Sequence, residues 1–332
     1  LQIQMINAAG LEEAGIDGGG VLREFLSELL RTSFDINRGF FKTTSDNYFY
    51  PNPSVHLIVP NFHSHYYFIG RMLGKAIYES MLVELPLAEF FLSKLLLRHN
   101  SSDLDIHHLA SLDPLLYKNL LYLKSYEGDV SELGLDFAVV NNELGEQQTV
   151  ELKPNGAQIP VTEANRIEYV HLMADYKLNR QIRQQTAAFK QGLTDVIDPH
   201  RLQLFDPNEL QVLISGTATP INVADWRAHT IYGSGYTASH PVIECFWRVV
   251  NGLDEDQRKQ LLKFTTSCSR PPLLGFKELQ PPFCVNRVES SDRLPTSATC
   301  VNLLKLPEIE DFATLKSKLL YAIQAGAGFE LS

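Results

Sequence analysis

A short segment of small, polar residues divides this chain into two regions with different patterns. Residues 215–220 read Ser-Gly-Thr-Ala-Thr-Pro and carry no large apolar side chain. Such a segment has little to bury and is typical of a linker. The chain has 332 residues, 44% of them hydrophobic, which is enough for two cores. The pattern predicts domains at 1–215 and 221–332, joined by a hinge at 216–220. The residues expected to move are Gly216, Thr217 and Ala218.

The region before the linker is mostly helical in its pattern. Apolar residues recur at steps of three and four, which is the spacing of one helix face. Helices are predicted over residues 20–36, 64–82, 86–99, 112–124, 164–192 and 206–214. The fifth of these is expected to break near 176–179. Strand-like residues 135–140 and 149–152 predict a β-hairpin.

The region after the linker mixes helices and strands. Helices are predicted at 241–251 and 254–267, and a last helix carries Phe312, Leu315, Leu319 and Ile323 on one face and stops at Gly326. An apolar run at 301–306 predicts a strand. The fold class is therefore α+β and bilobal, with a large helical N-terminal lobe, a hinge and a smaller α/β C-terminal lobe.

Four cysteines occur in the chain, and their spacing is sparse and uneven. No two form a C-x-x-C pair, which argues against a disulfide framework or a zinc site. Cys245 falls on an apolar helical stripe, Cys268 at a helix end and Cys284 in a strand-like segment. Cys300 follows the polar loop 294–299 and begins an apolar run. It is the candidate reactive thiol, and reduced thiols fit a cytoplasmic or nuclear protein.

The surroundings of Cys300 limit its chemistry. A thiol hydrolase needs a histidine base oriented by Asn or Asp. The region after the linker holds His229 and His240, neither in a known protease signature, and Ala298 stands two residues before the thiol. Exchange between thioesters is close to thermoneutral and depends mainly on an accessible thiolate and a well-placed partner. Exchange is favoured, and hydrolysis stays open as an alternative.

Five motifs carry a resemblance to a known family. They are Gly15–Gly20 with Arg23–Phe25, Phe68–Tyr78, Phe264–Arg270, Leu294–Pro307 around Cys300, and Gly328–Phe329. In this order and spacing they resemble the catalytic module of HECT-type ubiquitin-protein ligases, across essentially the whole chain. Residues 126–135 are similar to the small HECT group that lacks WW repeats. The opening without methionine suggests a piece cut from a longer protein.

The resemblance implies a HECT-like fold, with a small α/β subdomain at about 100–175 in the large lobe, and a two-step transfer. A ubiquitin-conjugating enzyme docks on the large lobe, Cys300 takes its ubiquitin as a thioester, and the small lobe turns about the linker to present it to a substrate lysine. The implied partners are the charged conjugating enzyme, ubiquitin, protein substrates and the proteasome, with no metal or organic cofactor. A net charge of −10 and the lack of eighteen consecutive apolar residues give no reason to expect nucleic acid or membrane as a partner.

The resemblance also implies a groove for the conjugating enzyme. Its residues are Leu116, Leu120, Leu123, Tyr126 and Tyr169. The first four are spaced i, i+4, i+7 and i+10, so they share one helical face. That spacing fits a face packed into the lobe's own core equally well, and only the resemblance favours docking.

Further site residues lie around the thiol and at the C-terminus. Phe329 matches the terminal phenylalanine that the family needs for transfer, although simple tail packing is the alternative. Glu330 would orient or deprotonate an attacking lysine, unless it is merely solvated. The family's usual histidine two before the cysteine is Ala298 here, and its usual following phenylalanine is Val301. Either the hydroxyl of Thr299 or backbone N–H groups then assist the thiol, or the thiol is only mildly activated.

A second ubiquitin-binding surface and a non-catalytic role are the further alternatives for this chain. Some members bind a second ubiquitin through aromatic residues, but the matching positions here are Thr43 and Leu144, which puts that exosite in doubt. A module that binds conjugating enzymes without catalysis is the second alternative, and it would tolerate loss of Cys300.

Overall fold

The computed structural model describes residues 20–96, 104–143, 145–217, 219–288 and 292–325. Backbone contacts divide the chain into two compact units. The central unit comprises residues 31–78 and 85–211, and the C-terminal unit comprises 1–30, 79–84 and 212–332. Residues 79–84 thus precede the predicted linker in sequence but group with the C-terminal unit. The predicted boundaries at 215 and 221, and the hinge between them, stay a prediction.

The first helix and the central unit confirm most of the predicted elements. In chain order the elements are α1 (Gly20–Ser33), β1 (Phe41–Thr43), β2 (Phe49–Pro51), α2 (Phe62–Tyr78), α3 (Glu89–Leu96), α4 (Pro114–Lys124), β3 (Ala138–Glu143), β4 (Glu146–Glu151), α5 (Arg166–Asp175), α6 (Arg183–Thr194), α7 (Pro199–Leu202) and α8 (Pro207–Ser215). The predicted hairpin is β3–β4, with Ala138 opposite Glu151. The short β1–β2 pair was not predicted.

The predicted break in the long helix is a π-helical segment, Tyr176–Arg180, between α5 and α6. Asn179 in this segment is 4% exposed. Its side-chain oxygen accepts hydrogen bonds from Lys94 Nζ at 2.5 Å and from the Leu104 backbone N–H at 3.2 Å. The extra residue of a π-turn directs a polar side chain inward here, where it satisfies buried partners.

Helices α2 and α6 pack with their backbones in close contact. A Cβ atom at Gly70 would lie 2.0 Å from the Phe189 carbonyl oxygen, and one at Gly192 would lie 1.9 Å from the Tyr67 carbonyl oxygen. Such distances are possible only for glycine. The two glycines of the G-x-x-x-G-K-A sequence that begins at Gly70 therefore serve helix packing.

The C-terminal unit contains the remaining elements. These are α9 (Val223–Ala228), β5 (Ile231–Gly233), α10 (Pro241–Asn251), α11 (Glu255–Thr266), β6 (Cys284–Val288), β7 (Thr296–Ala298), β8 (Leu303–Pro307) and α12 (Phe312–Ala325). The strands form one sheet in the order β5-β6-β8-β7. Strands β5, β6 and β8 are parallel, and β7 runs antiparallel to β8. Helices and small sheets together confirm the predicted α+β class.

Local sequence explains where the helices of the C-terminal unit begin. Asp254 and Gln257 form a capping box at α11, each side chain bonding the other's backbone N–H. His240 caps α10, and Pro241 occupies the first turn, where its missing N–H costs nothing. The core contains the fully buried Trp226 and Trp247. Helices and sheet close over these aromatic rings.

Candidate active site

Cys300 lies in a single turn of 3₁₀ helix, Thr299–Val301, between β7 and β8. The structure describes the backbone of Cys300 but not its side chain. Because β8 begins at Leu303, the turn sits at the amino-terminal end of that strand. Thr299 is half-buried and Val301 is 37% exposed. The turn therefore reaches the surface at the end of the sheet where β8 begins.

The chain before the turn is fixed to a neighbouring helix. Strand β7 pairs with β8, with Ser297 opposite Leu304. The Ser297 hydroxyl donates a 2.5 Å hydrogen bond to the carbonyl oxygen of Phe264, in the last turn of α11. The last carbonyl groups of a helix have no hydrogen-bond donor within the helix. The serine hydroxyl supplies that donor and also fixes β7 to α11.

The chain after the turn is fixed by Asn302. Its side-chain Nδ2 donates a 2.6 Å hydrogen bond to the Pro281 carbonyl oxygen, and its own carbonyl accepts from the Cys284 N–H at 3.0 Å. Asn302 belongs to the Leu294–Pro307 motif, but the sequence pattern alone assigns it no role. The available signal was that asparagine tolerates the left-handed backbone that ends such a turn.

The other three cysteines are buried or half-buried. Cys245 is 5% exposed in the core, as its apolar stripe predicted. Burial raises the pKa of the Cys268 thiol to about 11. Burial also raises the pKa of Cys284, which is half-buried and whose Sγ donates to Asn286 Oδ1 at 3.3 Å. At neutral pH, Cys268 and Cys284 stay protonated and are poor nucleophiles.

The two histidines of the C-terminal lobe are engaged elsewhere. His240 Nδ1 accepts from the Val242 N–H at 3.2 Å, and its Nε2 lies 4.0 Å from Glu308, just beyond the carboxyl end of β8. The five residues of β8 separate that end from the Cys300 turn by roughly 16 Å. His240 is therefore badly placed as a base for Cys300.

His229 is held by the helix that precedes it. Its Nδ1 lies 3.0 Å from the carbonyl oxygen of Asp225 and 3.0 Å from that residue's carboxylate. It precedes β5, and β6 lies between β5 and β8 in the sheet. An imidazole held by an aspartate could serve as a base. However, β5 and β8 are separated by two strand spacings, a total distance of about 10 Å. The hydrolase alternative gains no support from either histidine.

The predicted groove residues in the central unit divide by burial. Leu120, Leu123 and Tyr169 are 3%, 5% and 6% exposed, whereas Leu116 and Tyr126 are half-buried. The burial of these three side chains fits the alternative in which this helix face packs into the lobe's own core. Their role in docking stays a prediction.

Two neighbouring side chains on α4 are far more accessible. Leu115 is 68% exposed and Tyr122 is 66% exposed. They are seven residues apart and so share a helix face, and the Tyr122 ring meets that of Tyr126 edge-on with centroids 5.6 Å apart. Sequence reasoning missed both, because spacing alone does not say which face of a helix is covered.

The linker is bound in place in the described conformation. Gly216 has φ 74°, in the left-handed region, and its carbonyl accepts a 2.8 Å hydrogen bond from the Arg270 guanidinium. The hydroxyls of Thr217 and Thr219 lie 2.8 Å apart. Ala218 lies outside the described residues. A hinge at Gly216 would have to release the Arg270 bond when it moves.

Several predicted positions fall outside the described residues. These are Phe329, Glu330, Leu144 and the motif Gly15–Gly19. Thr43 is half-buried in β1, opposite Phe49. Within the described ranges, no three His, Cys, Asp or Glu side chains are arranged to hold a metal ion. In the same ranges, no helix is both long and apolar enough to cross a membrane.

Comparison with known proteins identifies the family. A model described as HECT-domain (ubiquitin-transferase) matches residues 27–332. The chain belongs to the HECT family. The match covers the Cys300 turn, the sheet that carries it and the central unit, so the HECT domain accounts for nearly all of the described fold.

Longer ubiquitin-protein ligases align with this chain. The chain is 46% identical to E3 ubiquitin-protein ligase UPL6 of Arabidopsis thaliana, and 43% identical to ubiquitin-protein ligase E3B of Homo sapiens. It is 39% identical to E3 ubiquitin-protein ligase HUL5 of Saccharomyces cerevisiae. Each alignment covers the whole chain but only 32%, 34% and 36% of the respective relative. This HECT domain thus spans about a third of the length of these ligases.

Proposed function

We propose that this HECT domain is the catalytic part of a ubiquitin-protein ligase and that Cys300 is its acceptor thiol. Cys300 takes ubiquitin from a conjugating enzyme, passes it to substrate lysines and builds ubiquitin chains. The observation that carries the proposal is the placement of Cys300 in an anchored surface turn, within a domain that matches the HECT family.

The chemistry consists of two acyl transfers. In the first, the Cys300 thiolate attacks the thioester carbonyl of the charged conjugating enzyme. A bond from the Cys300 sulfur to the carbonyl carbon forms, and the conjugating enzyme's cysteine leaves as a thiolate. In the second, a lysine amine attacks the new thioester, loses a proton as the amide bond forms, and Cys300 leaves as a thiolate. Neither step changes an oxidation state.

The residues beside the thiol define what assistance it can receive. Ala298 supplies no imidazole, so a neighbouring hydroxyl or N–H must help instead. Thr299, in the same turn as Cys300, is the candidate. Thioester exchange needs little driving force, so placement of the sulfur matters more than strong activation. The second transfer relies on Phe329 for productive alignment, and Glu330 would take the lysine proton.

The conjugating enzyme docks on the α4 face of the central unit. The predicted groove of Leu116, Leu120, Leu123, Tyr126 and Tyr169 supplies its framework. Leu115 and Tyr122 extend it with accessible apolar surface, which marks interaction sites, and tyrosine is enriched among the side chains that dominate binding energy. Three buried members of the framework support the shape of this face rather than contacting the partner.

Finer assignments complete the proposal. The lobes are 1–215 and 221–332, with movement at Gly216, Thr217 and Ala218. Residues 126–135 favour member C of the small HECT group without WW repeats. The ligase acts in the cytoplasm or nucleus, and its products are destined for the proteasome. No nucleic acid or membrane takes part.

A loading assay tests the proposal. The chain is mixed with ubiquitin, activating enzyme, conjugating enzyme and ATP, and the products are separated with and without reductant. We expect a ubiquitin adduct that reductant removes and that Cys300→Ala lacks entirely. Cys245→Ser, Cys268→Ser and Cys284→Ser are matched controls that keep it. Loading in Cys300→Ala would contradict the proposal.

The same assay separates the two alternatives. Release of free ubiquitin from added conjugates, with no adduct, would indicate a hydrolase. Binding of charged conjugating enzyme that is equal in the unaltered chain and in Cys300→Ala, again with no adduct, would indicate a module that only binds.

A further inference from the structure

Asn302 combines three properties that few residues can combine. Its backbone has φ 51° and ψ 41°, in the left-handed region that asparagine tolerates better than most residues. Its side chain is 3% exposed. Its amide nitrogen donates a 2.6 Å hydrogen bond to the Pro281 carbonyl oxygen. Glycine would supply the backbone without the amide, and aspartate would supply the shape without the donor.

The backbone of Asn302 joins the Cys300 turn to the sheet. Its N–H donates to the Thr299 carbonyl at 3.3 Å, which closes the turn. Its carbonyl accepts from the Cys284 N–H at 3.0 Å, at the first residue of β6. With the side-chain bond to Pro281, the residue is held at three points. The end of the turn therefore has little freedom to shift.

The beginning of the turn is held separately. Ser297 is fixed by its ladder position opposite Leu304 and by its hydrogen bond to Phe264. The Cys300 backbone thus lies between two anchors, and Val301 is the single residue between Cys300 and Asn302. Without the side-chain bond from Asn302 to Pro281, the chain that follows Cys300 would be held only by backbone hydrogen bonds.

We propose that Asn302 is a positioning residue for ubiquitin transfer. Through its bond to Pro281, it fixes the backbone that presents the Cys300 thiol to the incoming thioester. This rests on the proposed role of Cys300 as the acceptor. Transfer between two large partners needs the sulfur within about 3–3.5 Å of the carbonyl carbon and correctly aligned, and a shift of about 1 Å can lower the rate roughly 100-fold. Asn302 touches no reacting atom and acts through the turn.

Two substitutions remove the bond in different ways. Asn302→Asp keeps the size of the side chain and its tolerance of the left-handed region, but a carboxylate cannot donate to Pro281. Asn302→Gly keeps the backbone and removes the side chain. The matched control is Asn251→Asp, in the same unit, which removes a similar 2.9 Å bond from Asn251 Nδ2 to the Trp247 carbonyl.

The test compares the reaction of Cys300 with a large partner, the charged conjugating enzyme, and its reaction with a small alkylating reagent. Single-turnover loading by charged conjugating enzyme is measured at several enzyme concentrations on the full chain. Alkylation of Cys300 by iodoacetamide is followed by mass spectrometry of its peptide, and thermal melting reports folding. A small reagent approaches a thiol from many directions, so it does not depend on how the turn aims the sulfur.

We expect both Asn302 variants to load about 10–100-fold more slowly than the unaltered chain. The maximal rate should fall while the half-saturating concentration of conjugating enzyme stays the same. Alkylation of Cys300 in Asn302→Gly should keep its normal rate, and Asn251→Asp should load normally. A purely structural role would instead change alkylation and loading together.

Two results would overturn this inference and leave the proposed function intact. One is normal loading by a folded Asn302→Asp variant, and the other is a loss of loading that follows the loss of folded protein in both variants. A chain that forms no adduct even without substitution would overturn the proposed function and this inference together.

Discussion

The two compact units depend on opposite kinds of fit. In the central unit, α2 and α6 meet at glycines, and the backbone of one helix occupies the space where a side chain of the other would stand. In the C-terminal unit, large aromatic rings fill the core, and Phe276 stacks on Trp226 with centroids 5.1 Å apart. The central contact should therefore break when one carbon atom is added, and the C-terminal core when atoms are removed.

Gly192→Ala tests the central contact and should have the largest effect. A Cβ atom there would lie 1.9 Å from the Tyr67 carbonyl oxygen, so α2 and α6 must separate. We expect a loss of about 4 kcal/mol or more in the free energy of unfolding, measured by urea denaturation. Gly252→Ala is the control, because its Cβ would lie 3.5 Å from the nearest atom. Equal stability of the two variants would show that the helices can move apart at little cost.

Phe276→Ala tests the C-terminal core by removing atoms. Phe276 is 2% exposed, and its ring lies parallel to Trp226 within 5°. Its truncation should lower the free energy of unfolding by about 3 kcal/mol, the usual cost of a large core cavity. Leu274→Ala, at a side chain 72% exposed, should change stability by less than about 0.5 kcal/mol. If calorimetry gave similar melting temperatures for both variants, this aromatic stack would not be part of the stabilising core.

Leu115→Ala combined with Tyr122→Ala tests a surface of the central unit that neither kind of fit governs. Both side chains are more than half exposed, so folding stability should stay within about 0.5 kcal/mol. Loss of two interface contacts should raise the half-saturating concentration of charged conjugating enzyme roughly 5–20-fold, with little change in maximal loading rate.

Leu204→Ala is the matched control for that pair, since Leu204 is 79% exposed in the same unit. It should leave loading unchanged. If the double variant loaded as readily as this control at every concentration, the conjugating enzyme would dock elsewhere, and the α4 face would have no part in the proposed function.

Local patterns explain how much of the fold could be predicted. Helical periodicity repeats over many residues, so the longer helices could be predicted, and capping residues such as Asp254 marked where they begin. The short helices α7 and α9, of four and six residues, were not predicted, because so few residues carry no clear period. Strands β1 and β2 are only three residues each, and β2 ends at Pro51 within a turn-rich stretch, so the sequence pattern carries no strand signal for this pair. The predicted loop of the β3–β4 hairpin, residues 141–148, was too long. In the structure the strands stay paired as far as Glu143 and Glu146, which leaves a loop of two residues.

The candidate site shows a different limit. Cys300 could be singled out because the contrast between its polar loop and the apolar run that follows is local. The role of Asn302 depends on Pro281, a residue 21 positions away in sequence, and no local pattern reports such a pairing. Likewise, the i, i+4, i+7 spacing of Leu116, Leu120 and Leu123 defines a face of α4 but not what covers it.

A polar cluster in the C-terminal unit gives the smallest predicted effect. The Glu84 carboxylate accepts hydrogen bonds from Lys263 Nζ at 2.8 Å and from the Ser269 backbone N–H. Burial acts to raise the pKa of Glu84, but the hydrogen bonds from Lys263 and Ser269 outweigh it and hold that pKa below its usual value. The cluster joins residues 79–84 to the end of α11 without filling or excluding space.

A lowered pKa in the folded state gives this carboxylate a definite pH dependence. Its contribution to stability is complete above the pKa of the unfolded chain, about 4.3 for a glutamate, and is lost as the pH falls through the lower folded value. Glu84→Gln should therefore be less stable than the unaltered chain at pH 7, by about 1 kcal/mol or less, and the difference should shrink below about pH 4. Urea unfolding at both pH values measures it. Lys263→Met should lose part of the same dependence, and a stability difference that stayed constant with pH would mean that Glu84 contributes through packing and not through its charge.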